Sequence, residues 1–297
     1  SRGSKLALNY AERAKNEICS KFNIKEKNLE IKKIITEGDK IKDIRLSDTG
    51  GKGLFSKTIE NELLDNKIDI AVHALKDMPS DETSGLITNC FLERNDPREV
   101  LISRDKKKFN DLNKGSIIGT SSFRREFQFK RIRNDLKYKL IRGNVDTRIK
   151  KLNEKNFDAI ILSFAGLHSL KLDQNITQIF STSEIIPSAG QGTIALQCRE
   201  NDEEIIKILK KINHELTYKC VIAERDVLKT LNGDCETPVG VFANIKNNEL
   251  NLETELFSLD GKDRFYESLS TELKNFKKIG LEVGTILKKK SKNSYKR

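Results

Sequence analysis

Apolar positions recur along this chain in two rhythms, one helical and one strand-like. Ala7, Ala11, Ala14 and Ile18 fall on one face of a helix that Ser4 is placed to cap. Residues 29–36 read as a strand, and Phe55, Ile59 and Leu63 mark a second helix. The stretch 68–79, IDIAVHALKDMP, opens as a buried strand at Ile70, Ala71 and Val72, then breaks into His73, Lys76, Asp77 and Pro79. Short strands are predicted over 100–103, 116–119, 138–142, 158–163 and 193–197. Helices are predicted from Phe123, after Gly143-Asn144, and over 164–170, 202–212 and 216–231. Residues 37–53 are polar, end in Gly50-Gly51-Lys52-Gly53, and show no period, which predicts a loop or lid.

Strand–helix alternation of this kind predicts an α/β fold with parallel sheets and chemistry at the strand C-termini. A strand that ends in Lys76-Asp77 and a proline is such a place, although a Lys-Asp pair at a strand end is by itself more often a solvated salt bridge. From Val239 the pattern changes. Strands over 239–245, 250–256 and 264–269, turns at Asn247-Asn248 and Asp260-Gly261, and a helix over 271–287 predict a small α+β domain.

Composition narrows the classes. With 297 residues, 36% hydrophobic and 33% charged, the chain can bury a sizeable core and divide into two or three domains. No apolar run reaches a membrane span, and no signal peptide opens the chain. Cys19, Cys90, Cys198, Cys220 and Cys235 lack CxxC spacing and only three histidines exist, so no zinc site is predicted and a reducing cytoplasm is expected. The net charge of +11 raises the question of an anionic partner. Eleven basic residues against three acidic lie between Arg124 and Lys151; the six in the tail 288–297 read as a solvated, frayed end.

Three stretches share one design. Ser1-Arg2-Gly3-Ser4, Ser121-Ser122-Phe123-Arg124-Arg125 and Arg142-Gly143-Asn144-Val145-Asp146-Thr147-Arg148 each set arginine beside small residues at a helix start. Free N–H groups, the helix dipole and guanidinium forks favour carboxylate or phosphate there. One such stretch is an exposed capped helix; three on separate turns predict an anionic ligand. Nucleic acid is the rival, but the basic residues form no single recognition helix, and aromatics are 6% with no Trp. The glycine-rich loop lacks P-loop spacing. Cys235 sits in an irregular turn, LNGDCETP, between acidic Asp234 and Glu236, which disfavours a standing thiolate and suits an attachment point for a ligand.

These residues carry a resemblance over nearly the whole chain. SRGSKLAL, GGKGLF, IAVHALKDMP, GTSSFRRE, RGNVDTR, DAIILSFAGL, PSAGQG and the Cys235 turn occur in order, and the chain resembles the hydroxymethylbilane synthase, or porphobilinogen deaminase, family. The resemblance implies a transferase that joins four porphobilinogen units with loss of ammonia. It also implies hydrolytic release of the linear tetrapyrrole from a dipyrromethane primer tethered to Cys235. Asp77 matches the catalytic carboxylate that steadies the cation left when ammonia departs. Lys76, Thr120, Ser121, Ser122, Arg124, Arg125, Arg142 and Phe55 match primer-binding positions; Arg2, Ser4, Arg142, Arg148 and Lys52 match substrate-binding or lid positions. The fold implied is two type II periplasmic-binding-protein-like α/β domains, 1–94 with 193–214 and 95–192, plus a small α+β domain over 215–297. A monomer without nucleic acid, membrane or metal is implied, as is a strand before Ser1. Ser169 stands where the family usually has arginine, which leaves two expectations, a carboxylate contact taken over by Lys171 or His168 or a contact that is lost; Asp234 replaces a frequent Gly or Ser. A non-catalytic anion-binding protein is the alternative; it needs the arginine turns but neither Asp77 nor Cys235.

Overall fold

The computed structural model describes residues 1–40, 53–233 and 237–296. The chain runs α1 (Lys5–Phe22), α2 (Glu37–Lys40), α3 (Lys57–Leu64), β1 (Ala71–Ala74), β2 (Leu86–Phe91), β3 (Glu99–Ser103), β4 (Ile117–Gly119) and α4 (Phe123–Ile132). Next come β5 (Lys137–Lys139), α5 (Val145–Asn153), β6 (Ala159–Ser163), α6 (Phe164–Ser169), β7 (Gln178–Ile179), β8 (Ile194–Arg199) and α7 (Glu203–Ile212). The last elements are α8 (Glu215–Leu231), β9 (Val239–Lys246), β10 (Glu249–Phe257), β11 (Arg264–Glu272) and α9 (Phe276–Ser291). Three sheets result, in strand orders β1-β8-β2, β5-β4-β6-β3-β7 and β11-β10-β9.

Strands buried on both faces explain the first two sheets. In β3, Leu101 joins one apolar cluster with Phe109, Phe129 and Phe180, while Val100 and Ile102 join another with Ile141, Leu152 and Leu167. The two-residue period of a strand sends neighbours to opposite faces, and both are covered. In β8, Ile194, Leu196 and Cys198 pack with the Tyr10, Ala14 and Ile18 face of α1 and with Leu209 of α7. Ala195 points the other way, toward Leu75, Met78 and Val221.

The α/β class and the α+β C-terminal unit hold, but the sheets are mixed and not parallel. Among the strands of the described residues only β4 pairs in parallel, with β5 and β6; β8 is antiparallel to β1 and β2, and β3 to β6 and β7. The cause is that the chain changes sheets twice, after β2 and before β8, so β8 returns between β1 and β2 in the opposite direction. These two crossovers run side by side. Asn95 N–H donates to the Gly192 carbonyl at 2.9 Å and Arg94 Nε to the Gln191 carbonyl at 2.9 Å. Gly192 has φ +83°, and a Cβ there would lie 2.4 Å from the Asn95 carbonyl oxygen, so the close approach requires glycine.

Three further expectations are corrected. Residues 29–36 form no strand: Ile34 makes one parallel bridge to Arg2, because its partner is only the short segment at Ser1-Arg2. The last helix starts at Phe276, since β11 runs on to Glu272 in register with Glu249 of β10. The tail is docked and not frayed. Leu287 and Ser291 are buried, and Tyr295, 1% exposed, donates its hydroxyl to the Leu231 carbonyl at 2.9 Å. Gly280 lets α9 lie against α8, since a Cβ there would meet the Ala223 carbonyl oxygen at 2.2 Å. The predicted lid, apart from Glu37–Lys40 and Gly53, lies outside the described residues. No helix among the described residues is long and apolar enough to cross a membrane.

Candidate active site

The turn after β1 sets the site. Leu75 and Met78, three apart on a single 3-10 turn, are buried against Phe91, Ala195 and Val221. Their anchoring leaves Lys76 and Asp77 on the other side. Asp77 is exposed and lines a cavity with Arg2, Ser4, Tyr10, Phe55 and His73. Beyond the turn, Arg225 Nη2 holds the carbonyls of Pro79 and Ser80 at 2.9 and 3.2 Å.

Lys76 reaches across to the second sheet. Its ammonium donates to Gln191 Oε1 at 3.2 Å and Ser163 Oγ at 3.4 Å. Burial, followed by the charge of Arg125, lowers its pKa to about 8; Asp77 and Glu99 act in the opposite direction.

The predicted helix starts behave differently from one another. Ser4 caps α1, its hydroxyl accepting from Ala7 N–H at 3.3 Å, and Arg2 stacks its guanidinium 3.9 Å from the Phe55 ring centroid. Ser122 caps α4, accepting from Arg125 N–H at 3.4 Å, and Thr120 Oγ1 accepts from Ser122 N–H at 3.2 Å. Ser121 is half-buried in the same turn. At the start of α5, Arg148 Nε donates to the Gly143 carbonyl at 2.8 Å. Burial, then the charges of Arg125 and Arg142, lower the Arg148 pKa to about 10, against the pull of Asp77. Lys76 and Arg148 are thus each linked electrostatically to Asp77 and to Arg125, and Arg148 also to Arg142.

Arg124 and Arg125 diverge. Arg124 is buried, with Nη2 donating to Glu99 Oε1 at 2.6 Å and Nη1 to the Ile186 carbonyl at 3.0 Å. Both ends of its fork are spent within the fold. Arg125 pairs with Glu99 Oε2 at 2.8 Å and donates Nη1 to the Ile161 carbonyl at 3.2 Å. Its Nε is buried and has no hydrogen-bond partner among the described residues. Sequence reasoning missed Glu99 and left Gln191 without a role. The available signal was a carboxylate opening the otherwise apolar strand EVLIS, which burial makes costly unless cations surround it. Burial alone would raise the Glu99 pKa; Arg125, Arg124 and Lys76 override it and bring it to about 2.

Two neighbours complete the cavity wall. Burial pushes the His73 pKa down to about 4, so its imidazole is neutral at physiological pH. Burial and the charge of Asp77 push Tyr10 up to about 12. Near Ser169, whose hydroxyl donates to the Ala165 carbonyl at 2.7 Å, His168 is occupied by Asp173 at 3.0 Å. Lys171 is exposed and lines an open groove with Asn9 and Arg13 of α1. Lys52 and Cys235 lie outside the described residues. The residue two before Cys235 is described: the Gly233 carbonyl accepts from Ser80 Oγ at 3.4 Å, three residues from Asp77.

Sequence comparison with known proteins points to one family. Residues 1–207 match the model of the porphobilinogen deaminase, dipyromethane cofactor binding domain, and residues 218–289 match the porphobilinogen deaminase, C-terminal domain. A porphobilinogen deaminase of Alkaliphilus metalliredigens is 40% identical over 293 residues, which covers 98% of this chain and 92% of that protein. One of Geobacillus sp. is 43% identical over 292 residues, covering 97% and 92%. One of Brevibacillus brevis is 43% identical over 267 residues, covering 89% and 85%.

Proposed function

We infer the roles of the cleft residues from one premise: this chain belongs to the porphobilinogen deaminase family. It is a hydroxymethylbilane synthase, a transferase of tetrapyrrole biosynthesis. It condenses four porphobilinogen molecules head to tail on a dipyrromethane cofactor and releases the linear tetrapyrrole.

The observation that carries the assignment of roles is that the exposed carboxylate Asp77 acts on both Lys76 and Arg148, and that Arg125 acts on the same two cations. Porphobilinogen bears an acetate and a propionate, so each added unit brings two negative charges into the cleft. The cationic side chains bind and orient those carboxylates; Ser121, Ser122, Thr120, Arg2 and Ser4 line the same helix starts. Phe55, stacked on Arg2, supplies an apolar face for a pyrrole ring. Asp77 stabilises the positive charge that develops as ammonia leaves, and holds or moves the pyrrole proton. Arg124 acts from behind, as an internal partner of Glu99.

Two observations support the fit of a cysteine-linked dipyrromethane. The Arg125 Nε is buried without a partner among the described residues, where an anionic group would satisfy it. The turn that contains Cys235 is bordered by Gly233, which Ser80 ties to the Asp77 segment. The bound cofactor supplies the pyrrole terminus that is extended. In this reading Cys235 is its tether and Lys52 belongs to the lid. The domain division 1–94 with 193–214, 95–192 and 215–297 belongs to the same reading, supported by the paired crossovers. So does a cytoplasmic monomer; the four described cysteines are free thiols, which suits a reducing compartment.

Intact mass tests the whole assignment. Chain produced in cells that make porphobilinogen is expected to carry one dipyrromethane, mapped to the peptide containing Cys235 and absent from Cys235→Ser. Unmodified wild-type chain from such cells would overturn it. A second expectation concerns pH. The Lys76 ammonium binds carboxylate only when protonated, so kcat/KM is expected to fall as pH rises through about 8. Lys76→Arg, which stays charged, should lose that limb; a limb unmoved by the substitution would assign it to another group.

A further inference from the structure

We infer that Glu99 is a positioning residue of the cleft: its buried carboxylate locks the Arg124–Arg125 pair and, through the Gln191 amide, fixes the aim and charge of Lys76. The inference rests on the reading of Lys76 as a carboxylate-binding ammonium.

The geometry is that of a relay. Glu99 opens β3, fully buried, and its two oxygens are divided between consecutive arginines of α4: Oε1 to Arg124 at 2.6 Å and Oε2 to Arg125 at 2.8 Å. Oε1 also accepts from Gln191 Nε2 at 3.0 Å. The same Nε2 donates to the Pro97 carbonyl at 2.7 Å, and the other end of the amide, Oε1, accepts from Lys76 at 3.2 Å. Gln191 is itself fully buried.

An amide can be turned end for end, and here the charges choose the orientation. Reversed, Gln191 would set its NH2 against the Lys76 ammonium and its oxygen against the Glu99 carboxylate and the Pro97 carbonyl. Glu99 as an anion therefore makes one orientation strongly preferred, and that orientation presents an acceptor to Lys76. Gln191 lies in the returning crossover and Pro97 in the outgoing one, so the relay also ties the two crossovers beside the cleft.

The charged groups that act on Lys76 are Arg124 and Arg125 from α4, Asp77 beside it and Glu99 from β3; Ser163 and Gln191 are its neutral partners. Removing Glu99 takes away a stabilising anion, leaves two guanidiniums uncompensated and frees Gln191 to turn. All three effects disfavour the ammonium, so Lys76 should lose its proton at lower pH.

The test follows Lys76 directly in the full chain. Lysines are reductively dimethylated with carbon-13 and titrated by NMR, the Lys76 signal being identified by its loss in Lys76→Arg. In Glu99→Gln the midpoint is expected to fall by roughly one unit, while Glu99→Asp, which keeps the charge, stays nearer the parent. Gln191→Leu, which removes the relay and no charge, is expected to shift it the same way. A folded Glu99→Gln with the parental midpoint overturns the inference. If Glu99→Gln does not fold, Gln191→Leu decides, and an unshifted midpoint there overturns it equally. Full turnover by Lys76→Ala would instead overturn the reading of Lys76 as a carboxylate holder, whatever the titration shows.

Discussion

Asp77→Asn is expected to lower kcat by about 10³-fold, with little change in KM and an unfolding midpoint within about 0.5 kcal/mol of the parent. The stability half follows from placement. Asp77 is exposed, and the turn that bears it is held by buried Leu75 and Met78, which the substitution does not touch. The kinetic half follows from charge. An amide of the same shape can neither accept a proton nor oppose the positive charge that develops when ammonia leaves. Asp77 is also the carboxylate that acts on both Lys76 and Arg148. Its removal leaves the cations that hold substrate carboxylates in place, so ground-state binding should persist while the transition state loses its counter-charge. Steady-state product formation together with chemical denaturation separates the two halves. A variant that turns over normally would end the catalytic assignment, and one that fails through instability would show that the turn is not as self-supporting as its packing indicates.

What the sequence reveals of this molecule depends on how many independent signals a residue carries. The strands EVLIS and AIILS are legible because both faces are apolar and turns bound them. β2 is hidden from a period-two reading by the register shift between Thr88 and Cys90, which turns the pattern over midway. Sheet direction is not legible from strand–helix alternation, because the two crossovers reverse β3 and β8 relative to their neighbours. The docking of the tail rests on Tyr295, on buried Ser291 and on the Leu259 N–H bond to the Ser294 carbonyl, in a run of lysines whose charge dominates any compositional reading. At the site, residue type and helix start point equally to Arg124 and Arg125. Only the tertiary placement of Glu99 and of the Ile186 carbonyl makes the first internal and leaves the second a buried, unspent donor. As a strand-end pair, Lys76 and Asp77 are ambiguous in the sequence. They acquire separate tasks once one reaches Gln191 and Ser163 and the other lines the cavity.

Glu224→Ala is expected to destabilise the chain by about 3–5 kcal/mol, read as a lower denaturant midpoint. Glu224 is fully buried on α8, and its carboxylate is the junction of three elements. One oxygen accepts from Arg94 Nη1 at 2.6 Å and from Ala243 N–H of β9 at 2.8 Å. The other accepts from Gly190 N–H at 2.6 Å and Arg94 Nη2 at 3.3 Å. Alanine would strand a nearly buried guanidinium and two backbone donors together, which is why the cost should exceed that of a surface pair, about 0–1 kcal/mol. Gln cannot restore the junction, since its NH2 would face donors on one side, so Glu224→Gln should recover only part of the loss. Turnover should fall with stability, because Gly190 adjoins Gln191 and Arg94 Nε holds the backbone carbonyl of Gln191, whose side-chain Oε1 accepts from Lys76. A loss below about 1 kcal/mol would mean that the C-terminal unit is held to the crossovers without Glu224, by the packing of Ala189, Val239 and Val241 and by the Val241 N–H bond to the Pro187 carbonyl.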